Sequence, residues 1–477
     1  MKGTQRALSW TMTRIRSTTS ICPICYEPLE AKVYEAKGAV WLEKRCAEHG
    51  VFKDLVWSDY ELYRAFEARD LSGAGRPGAG EPEHDAACSF ACGLCTNHES
   101  QTVLGVIDVT ERCNLSCPTC FAKSENDLVE PDLSPASIKA IIDTFAASTN
   151  ASGLQFSGGE PTLRSDLPEL IAYARTKFEH VEVNTNGLKM AASPAFCSAM
   201  ESAGLSVVYL QFDGVTEAPY LSLRGRKLLE VKKQAIENHR QAGPKPAIVL
   251  VPTIVKGVND DQIGDILRFA IANSDIVRGV NFQPISFCGR TNHRPAERIT
   301  VSDIISNIAA QTDFLQQSDF YPPSVMSVLL GTLGKADVGC HFSCGAFSYL
   351  VLDTDTGTVE PLTKYVDIER LADSYRKSGR ISLLSAIRTI HSGLLKDLFI
   401  DFVKSQAYDD LSNLHFKLLF VGAMHFMDPY NFDCARVRKC VIHYGLPDGR
   451  IIPFCAYNNL YRKGKIPNYK YQNTNKS

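Results

Sequence analysis

The sequence predicts an α/β protein: a partial (β/α)6 TIM-like barrel with a cysteine-rich, metal-binding module at each end. Three observations carry this. Six short β-branched stretches alternate with helical ones between residues 101 and 300. Every loop with chemically distinctive residues follows one of those strands, where such folds place their active sites. Sixteen cysteines stand in C-x2-C and C-x3-C spacings before, at the start of and after this region.

The bulk numbers fit a globular enzyme. The chain has 477 residues and a net charge of −2, enough for two or three domains and without the basic excess of a nucleic-acid partner. No uninterrupted run of 18 apolar residues occurs, so a spanning helix is not expected. Residues 1–20 carry Arg6, Arg14 and Arg16 and lack an apolar signal core; they read as a tail. Clustered cysteines without an export signal favour metal ligation in a reducing, cytoplasmic setting over disulfides.

The next module spans residues 21–100 and reads as rubredoxin- or zinc-ribbon-like. Cys22-Pro-Ile-Cys25 is a knuckle, and Cys46-Ala-Glu-His49 offers two more ligands for one mononuclear iron or zinc. A Gly/Pro-rich stretch over 73–82 follows as a linker. Cys88, Cys92 and Cys95, with His98 beyond them, form a second array. That array suits a further cluster, or Cys92/Cys95 pair with Cys22/Cys25 around one ion; a single zinc with free thiols is the plainer alternative.

Residues 101–300 form the barrel, with strands expected at 102–109, 153–157, 180–185, 205–212, 247–254 and 278–283. Helices are expected near 134–147, 165–178, 193–203, 226–241 and 260–273, the first opened by the cap pair Ser134-Pro135. The loop after the first strand carries Cys113, Cys117 and Cys120 in a C-x3-C-x2-C array. Three thiolates hold three irons of a cubane cluster and leave the fourth iron open; a zinc knuckle would want a fourth ligand the loop lacks. After the second strand, Gly158 and Gly159 permit close backbone approach to a ligand, and Glu160 can accept from an ammonium group. Asn184 and Asn186 end the third strand with amides suited to ribose hydroxyls. Asp213 ends the fourth strand, Arg224 follows it where it can meet a carboxylate, and Asn259 lies in the loop after the fifth.

Residues 301–477 supply Cys340, Cys344, Cys440 and Cys455, a four-ligand set for an auxiliary cluster, with Cys434 as an alternative ligand and buried free thiols as the plain reading. Cys197 reads as packing, and Cys288 as packing near the site. The greasiest stretch, 412–427, reads as a buried helix, with a lipid channel or membrane contact as the alternative.

Taken together, Cys113-x3-Cys117-x2-Cys120, Ser157-Gly-Gly-Glu-Pro161, the polar third strand end and the fifth-strand loop resemble the radical S-adenosylmethionine superfamily over about 101–300. Thr119 departs from the aromatic residue usual there, and Phe121 stands next to it as a substitute cover. The resemblance implies a 4Fe–4S cluster on the three cysteines, S-adenosylmethionine on its open iron, and Glu160 on the amino group. Gly158, Gly159, Asn184, Asn186, Asp213, Arg224 and Asn259 are the further expected cofactor-binding residues. It implies reductive cleavage to a 5′-deoxyadenosyl radical that takes hydrogen from an unactivated carbon, with electrons from a donor such as ferredoxin or flavodoxin.

Leu223-Arg-Gly, Asn281-Phe-Gln-Pro and the closing Pro447-Asp-Gly-Arg-Ile-Ile-Pro-Phe-Cys-Ala-Tyr-Asn458 extend the resemblance to the tetraether lipid synthase group, some of whose relatives are described as pterin methylases. It implies one or two auxiliary 4Fe–4S clusters and carbon–carbon bond formation on a hydrophobic lipid chain, with peripheral membrane contact. Methylation of a pterin or other small molecule is the alternative enzyme, and a zinc-binding scaffold the alternative of another class.

Overall fold

The computed structural model describes residues 13–71, 92, 94–95, 97–124, 131–243, 246–325, 339–353, 356–378, 383–391 and 418–462. It begins with a four-stranded antiparallel meander of β1 (Thr13–Ile21), β2 (Pro28–Ala36), β3 (Ala39–Cys46) and β4 (Gly50–Trp57), followed by α1 (Tyr60–Arg69). Residues 13–20, expected to be tail, therefore form an edge strand. Their partners are distant in sequence: Thr18 Oγ1 donates to Asp433 Oδ1 at 2.6 Å, and Arg16 pairs with the same carboxylate.

The central strands are β5 (Leu104–Thr110), β6 (Gly153–Gly158), β7 (His180–Thr185), β8 (Val207–Gln211), β9 (Ala247–Val251), the two-residue β10 (Thr253–Ile254) and β11 (Val277–Pro284). β5, β6, β7, β8, β9 and β11 pair in that order, all parallel. Parallel order requires crossovers, supplied by α2 (Pro135–Ser148), α3 (Leu167–Arg175), α4 (Leu188–Ala192), α5 (Pro194–Ser202), α6 (Glu217–Arg224), α7 (Leu229–Ala242) and α8 (Ile263–Ala272). The helix-facing side of the strands is apolar: Leu154, Phe156, Val181, Val183, Val208 and Leu210 are buried in the main core. On α8, Ile263, Ile266, Leu267 and Ala270 form the matching stripe. Each such Leu or Ile contributes about 1.5–3 kcal/mol by leaving water.

The C-terminal region extends this sheet at both edges after α9 (Val301–Gln311). Beyond β11 come β14 (Leu418–Met424), then β12 (Gly345–Asp353) and β13 (Thr358–Pro361). On the other edge β15 (Ile442–Gly445) runs parallel to β5 and carries β16 (Ile451–Pro453). Residues 418–424, expected within a buried helix, are thus a sheet strand; 412–417 lie outside the described residues. A short apolar run has no periodicity that separates the two, and pairing with β11 and β12 decides it.

Candidate active site and metal centres

The loop after β5 is held from three directions. From the β6 side, Gly159 N donates to Thr110 O and Glu160 N to Arg112 O, both at 2.8 Å. A Cβ on Gly158 would lie 2.1 Å from Thr110 O, and one on Gly159 2.2 Å from Arg112 O. The paired glycines thus admit the backbone of the cysteine loop itself, where the sequence had suggested a ligand. From beyond β11, Cys120 and Arg290 exchange backbone hydrogen bonds at 2.8 and 2.9 Å, while Arg290 Nε donates to Cys117 O at 2.7 Å. From α6, Arg224 Nη1 donates to Thr119 O at 3.0 Å.

This framing leaves Cys113 and Cys117 nearly buried and Cys120 half-buried, next to Glu160, Asp213 and Arg224. Burial, then the charges of Glu160 and the two neighbouring cysteines, pushes the Cys113 thiol up to about 12. Three soft donors converging from one loop, with their backbone groups occupied elsewhere, fit a cluster that takes three protein ligands.

Glu160 is fixed by its neighbours. Its Oε1 accepts from Thr162 N (3.2 Å), Thr162 Oγ1 (2.6 Å) and Thr185 Oγ1 (2.7 Å); its Oε2 accepts from Asn186 N at 2.7 Å. Asn186 Nδ2 donates to Asn114 Oδ1, inside the cysteine loop, at 2.7 Å. Asn184 turns instead to the strand wall, toward Gln155 and Ser157.

Asp213 and Arg224 form a bidentate pair at 2.7 and 2.8 Å, with Asp213 fully buried. Arg224 meets the carboxylate of the chain's own Asp213. Asn259 is also fully buried, accepting from Val255 N and donating to Asp213 O and Thr253 O, so it ties the strand ends together. Beneath them Lys232, fully buried on α7, donates to Gln211 Oε1 at 2.7 Å and to Asn186 O. Burial pushes its ammonium down to about 7. No local pattern marks this role, since Lys232 stands among the charged residues of a helix.

The lumen side of the barrel is polar. Register places Asp108, Ser157, Asn184 and Tyr209 side by side on β5 to β8, with Gln155 and Glu182 paired one level below and Gln211 one level above. All but Gln155 are half-buried, in contrast to the fully covered opposite face. Asp108 is paired with Arg462 at 2.6 Å.

Cys340, Cys344, Cys440 and Cys455 line one cavity with His425, Phe426, Arg436 and Phe454. Cys340, hydrogen-bonded to it, and the Arg436 guanidinium pull the Cys344 thiol down to about 6. Burial pushes Cys440 up to about 11. Four thiols around one cavity fit a fully ligated cluster. Cys434 opens the short helix Cys434–Arg438 and packs in an apolar group with Ile21, Phe432 and Leu460. Phe121 stacks toward this cavity, its ring 5.6 Å from Phe454 and 6.0 Å from Phe426, which are 4.2 Å apart.

In the meander, the ligand atoms of Cys22, Cys25, Cys46 and His49 lie within 4.8 Å of one another. Three thiols and an imidazole at that spacing fit one tetrahedral ion, with zinc the natural occupant. Cys92 and Cys95 lie apart from this group, and Cys88 is outside the described residues. Cys92 N donates to Tyr461 Oη at 3.0 Å, and His98 meets His443 edge to face beside Cys440. Cys197 is buried with its thiol toward Met190 O; Cys288 is buried against Asn459 and Met427.

Residues 107–270 match the Radical SAM superfamily, and residues 14–58 match the HMPTM N-terminal zinc ribbon domain. The chain is 40% identical, over 94% of both lengths, to the 7,8-dihydro-6-hydroxymethylpterin dimethyltransferase of Methanocaldococcus jannaschii. It is 30% identical to the Fe-coproporphyrin III synthase of Methanosarcina barkeri, over 47% of this chain and 54% of that one. Among solved structures, Streptococcus suis SuiB bound to S-adenosylmethionine overlaps 44% of this chain and 47% of that one, at 15% identity and a TM-score of 0.38. Enzymes of the matched superfamily use a 4Fe–4S cluster and S-adenosylmethionine, and with those matches over a site of this geometry the chain belongs to the radical S-adenosylmethionine superfamily.

Proposed function

We propose that this enzyme methylates a pterin or a closely similar small heterocycle. The polar lumen wall of Gln155, Ser157, Glu182, Asn184, Tyr209 and Gln211 carries the reading. An alkyl chain laid against it would strip water from these groups and return no hydrogen bonds. A flat heterocycle with ring nitrogens and an amino group matches it. The relative from M. jannaschii, whose name specifies a dihydropterin, supports the same class. The lipid reading rests on the resemblance to the tetraether lipid synthase group; the lipid channel offered as an alternative for 412–427 loses 418–424, which pair in the sheet.

In this reading Cys113, Cys117 and Cys120 hold the cluster that binds S-adenosylmethionine. Cys340, Cys344, Cys440 and Cys455 hold an auxiliary one, and Cys22, Cys25, Cys46 and His49 hold zinc. The cluster and S-adenosylmethionine would supply, when bound, hydrogen-atom abstraction from carbon; a second S-adenosylmethionine would give up the methyl group and leave as S-adenosylhomocysteine, with two electrons from the donor per methyl added. The chain's part is to position and to exclude water. Glu160 Oε2, with a single bond from Asn186 N, is the oxygen left for the cofactor's amino group. Arg224 fixes the cysteine loop through Thr119 O while Asp213 balances its charge. Asn186, just past the end of β7 and bonded to both Glu160 and Asn114, is the amide left to meet the ribose, Asn184 being engaged by Gln155 and Ser157. A ferredoxin- or flavodoxin-type protein supplies electrons.

The test is anaerobic reconstitution followed by S-adenosylmethionine, dithionite and 6-hydroxymethyl-7,8-dihydropterin. Expected are 5′-deoxyadenosine and a pterin heavier by methyl increments, both lost in Cys117→Ala. Formation of 5′-deoxyadenosine with deuterium taken from perdeuterated lipid chains, and an unchanged pterin, would sink the proposal in favour of the lipid reaction.

A further inference from the structure

The lumen wall holds an ionisable group that the reading above leaves without a task. Glu182, on β7, ends a hydrogen-bonded row that runs in one direction. Asn184 Nδ2 donates to Ser157 Oγ at 3.3 Å and to Gln155 Oε1 at 2.8 Å; Gln155 Nε2 then donates to Glu182 Oε2 at 2.9 Å. Both Asn184 amide protons are thereby used, so the groups the row leaves over are acceptors on the lumen face of β7: Asn184 Oδ1 and Glu182 Oε1.

Glu182 also lacks a countercharge. Gln155 faces it from β6 and Tyr209 from β8, both neutral, and no Arg, Lys or His among the described residues offsets it. Burial pushes its carboxyl up to about 7, the Gln155 bond opposing this. Other carboxylates of this chain are better served: Asp213 has Arg224, Asp108 has Arg462, Asp428 has Arg298, and Glu160, which has no cation, accepts hydrogen bonds on both oxygens from Thr162, Thr185 and Asn186. A half-buried carboxyl with one neutral donor and acceptor capacity to spare is poorly served by the fold alone and well suited to a ligand with N–H groups.

We propose that Glu182 is the specificity-determining residue of this site: its carboxylate accepts the adjacent ring N–H and amino protons of a nitrogen heterocycle seated in the barrel lumen, as on the 2-aminopyrimidinone edge of a pterin. The inference rests on the pterin-class reading and adds the atom that recognises the substrate. Ionised Glu182 is the acceptor, so the ligand displaces a proton wherever the free carboxyl holds one. Affinity therefore rises with pH through about 7 and levels off above it.

The experiment measures equilibrium binding to the reconstituted full-length holoprotein by pterin fluorescence, from pH 6 to pH 8. Two probes are used: 6-hydroxymethyl-7,8-dihydropterin, and 1,3-dimethyllumazine, whose edge lacks N–H donors. The native protein should prefer the pterin about ten- to a hundredfold at pH 8, the range for a charge-assisted hydrogen bond, and less at pH 6. Glu182→Gln, of the same shape, should lose that preference and its pH dependence. Glu230→Gln, exposed on α7, should keep both, which controls for the loss of a carboxylate away from the lumen. If the native protein binds the pterin with no pH dependence, or Glu182→Gln discriminates as well as native, the assignment of Glu182 falls while the pterin reading stands. If the native protein neither binds nor turns over the pterin, that reading falls and takes the assignment with it.

Discussion

Gly159 shows how narrowly single residues set this site. A methyl group there would fall 2.2 Å from Arg112 O, a backbone atom with no freedom to retreat. Gly159→Ala is expected to part the β6 loop from the cysteine loop. Iron per chain and the visible absorbance of the reconstituted protein should fall, with a chain that is still folded by circular dichroism. Glu182 is held at a cost to stability. Its folded carboxyl titrates near 7 against an ordinary value of 4.5, so the unfolded chain releases its proton first. Native stability is thus lost progressively as pH rises from about 4.5 to 7. Glu182→Gln should raise the melting temperature of the protein at pH 8 and leave it nearly unchanged at pH 4.5. An equal shift at both would contradict the assignment of a shifted carboxyl.

At the scale of elements, two arms run from the strand ends to the cysteine loop. One is Gln211–Asp213–Arg224–Thr119 O; the other is Glu160–Asn186–Asn114. Lys232 on α7 braces both, through Gln211 Oε1 and Asn186 O. The arms make the loop's position a property of β7, β8, α6 and α7 together. Arg224 serves Asp213, Thr119 O and Thr253 Oγ1 with one planar fork. A lysine offers a point charge in its place, so Arg224→Lys should cost about 2–4 kcal/mol. The denaturant midpoint should record that loss. An unchanged midpoint would mean that the pair is replaceable by water.

For the whole molecule, the zinc ribbon is joined to the barrel by buried charge. Arg298 lies between Asp54 of β4, at 2.6 Å, and Asp428 after β14, at 2.7 Å, while Lys44 of β3 donates to Pro429 O at 2.6 Å. Arg298→Met leaves two buried carboxylates without the cation that bridges them, Lys44 being nearby but bonded elsewhere, which should cost about 3–5 kcal/mol. Limited proteolysis should then release the ribbon from the remaining chain. Cys46→Ser removes one ligand of the ribbon site. It should release about one equivalent of zinc and lower the melting temperature, because metal binding and ribbon folding are coupled. No helix among the described residues is long and apolar enough to cross a membrane.

What the sequence by itself determined was local. The six barrel strands stand within a few residues of where their β-branched composition placed them, and Ser134 caps α2 with Pro135 at its start, as that pair indicated. The cysteine loop, the Gly-Gly-Glu loop and the ribbon ligands were legible because each is a short spacing with its own chemistry. So was the polar alternation His180, Glu182, Asn184, a period of two that marks one face of a strand, although its meaning was not. Only the tertiary structure decided what required long-range partners. It turned residues 418–424 into a strand through β11 and β12, and 13–20 into an edge strand through Asp433. It gave Arg224 to Asp213, buried Lys232 beneath two loops, and gathered Cys340, Cys344, Cys440 and Cys455 around one cavity. It also set Glu182 in the lumen without a cation. The physical reason is the same in each case: propensity and spacing act over a few residues, whereas burial and charge pairing depend on which distant segments fold against one another.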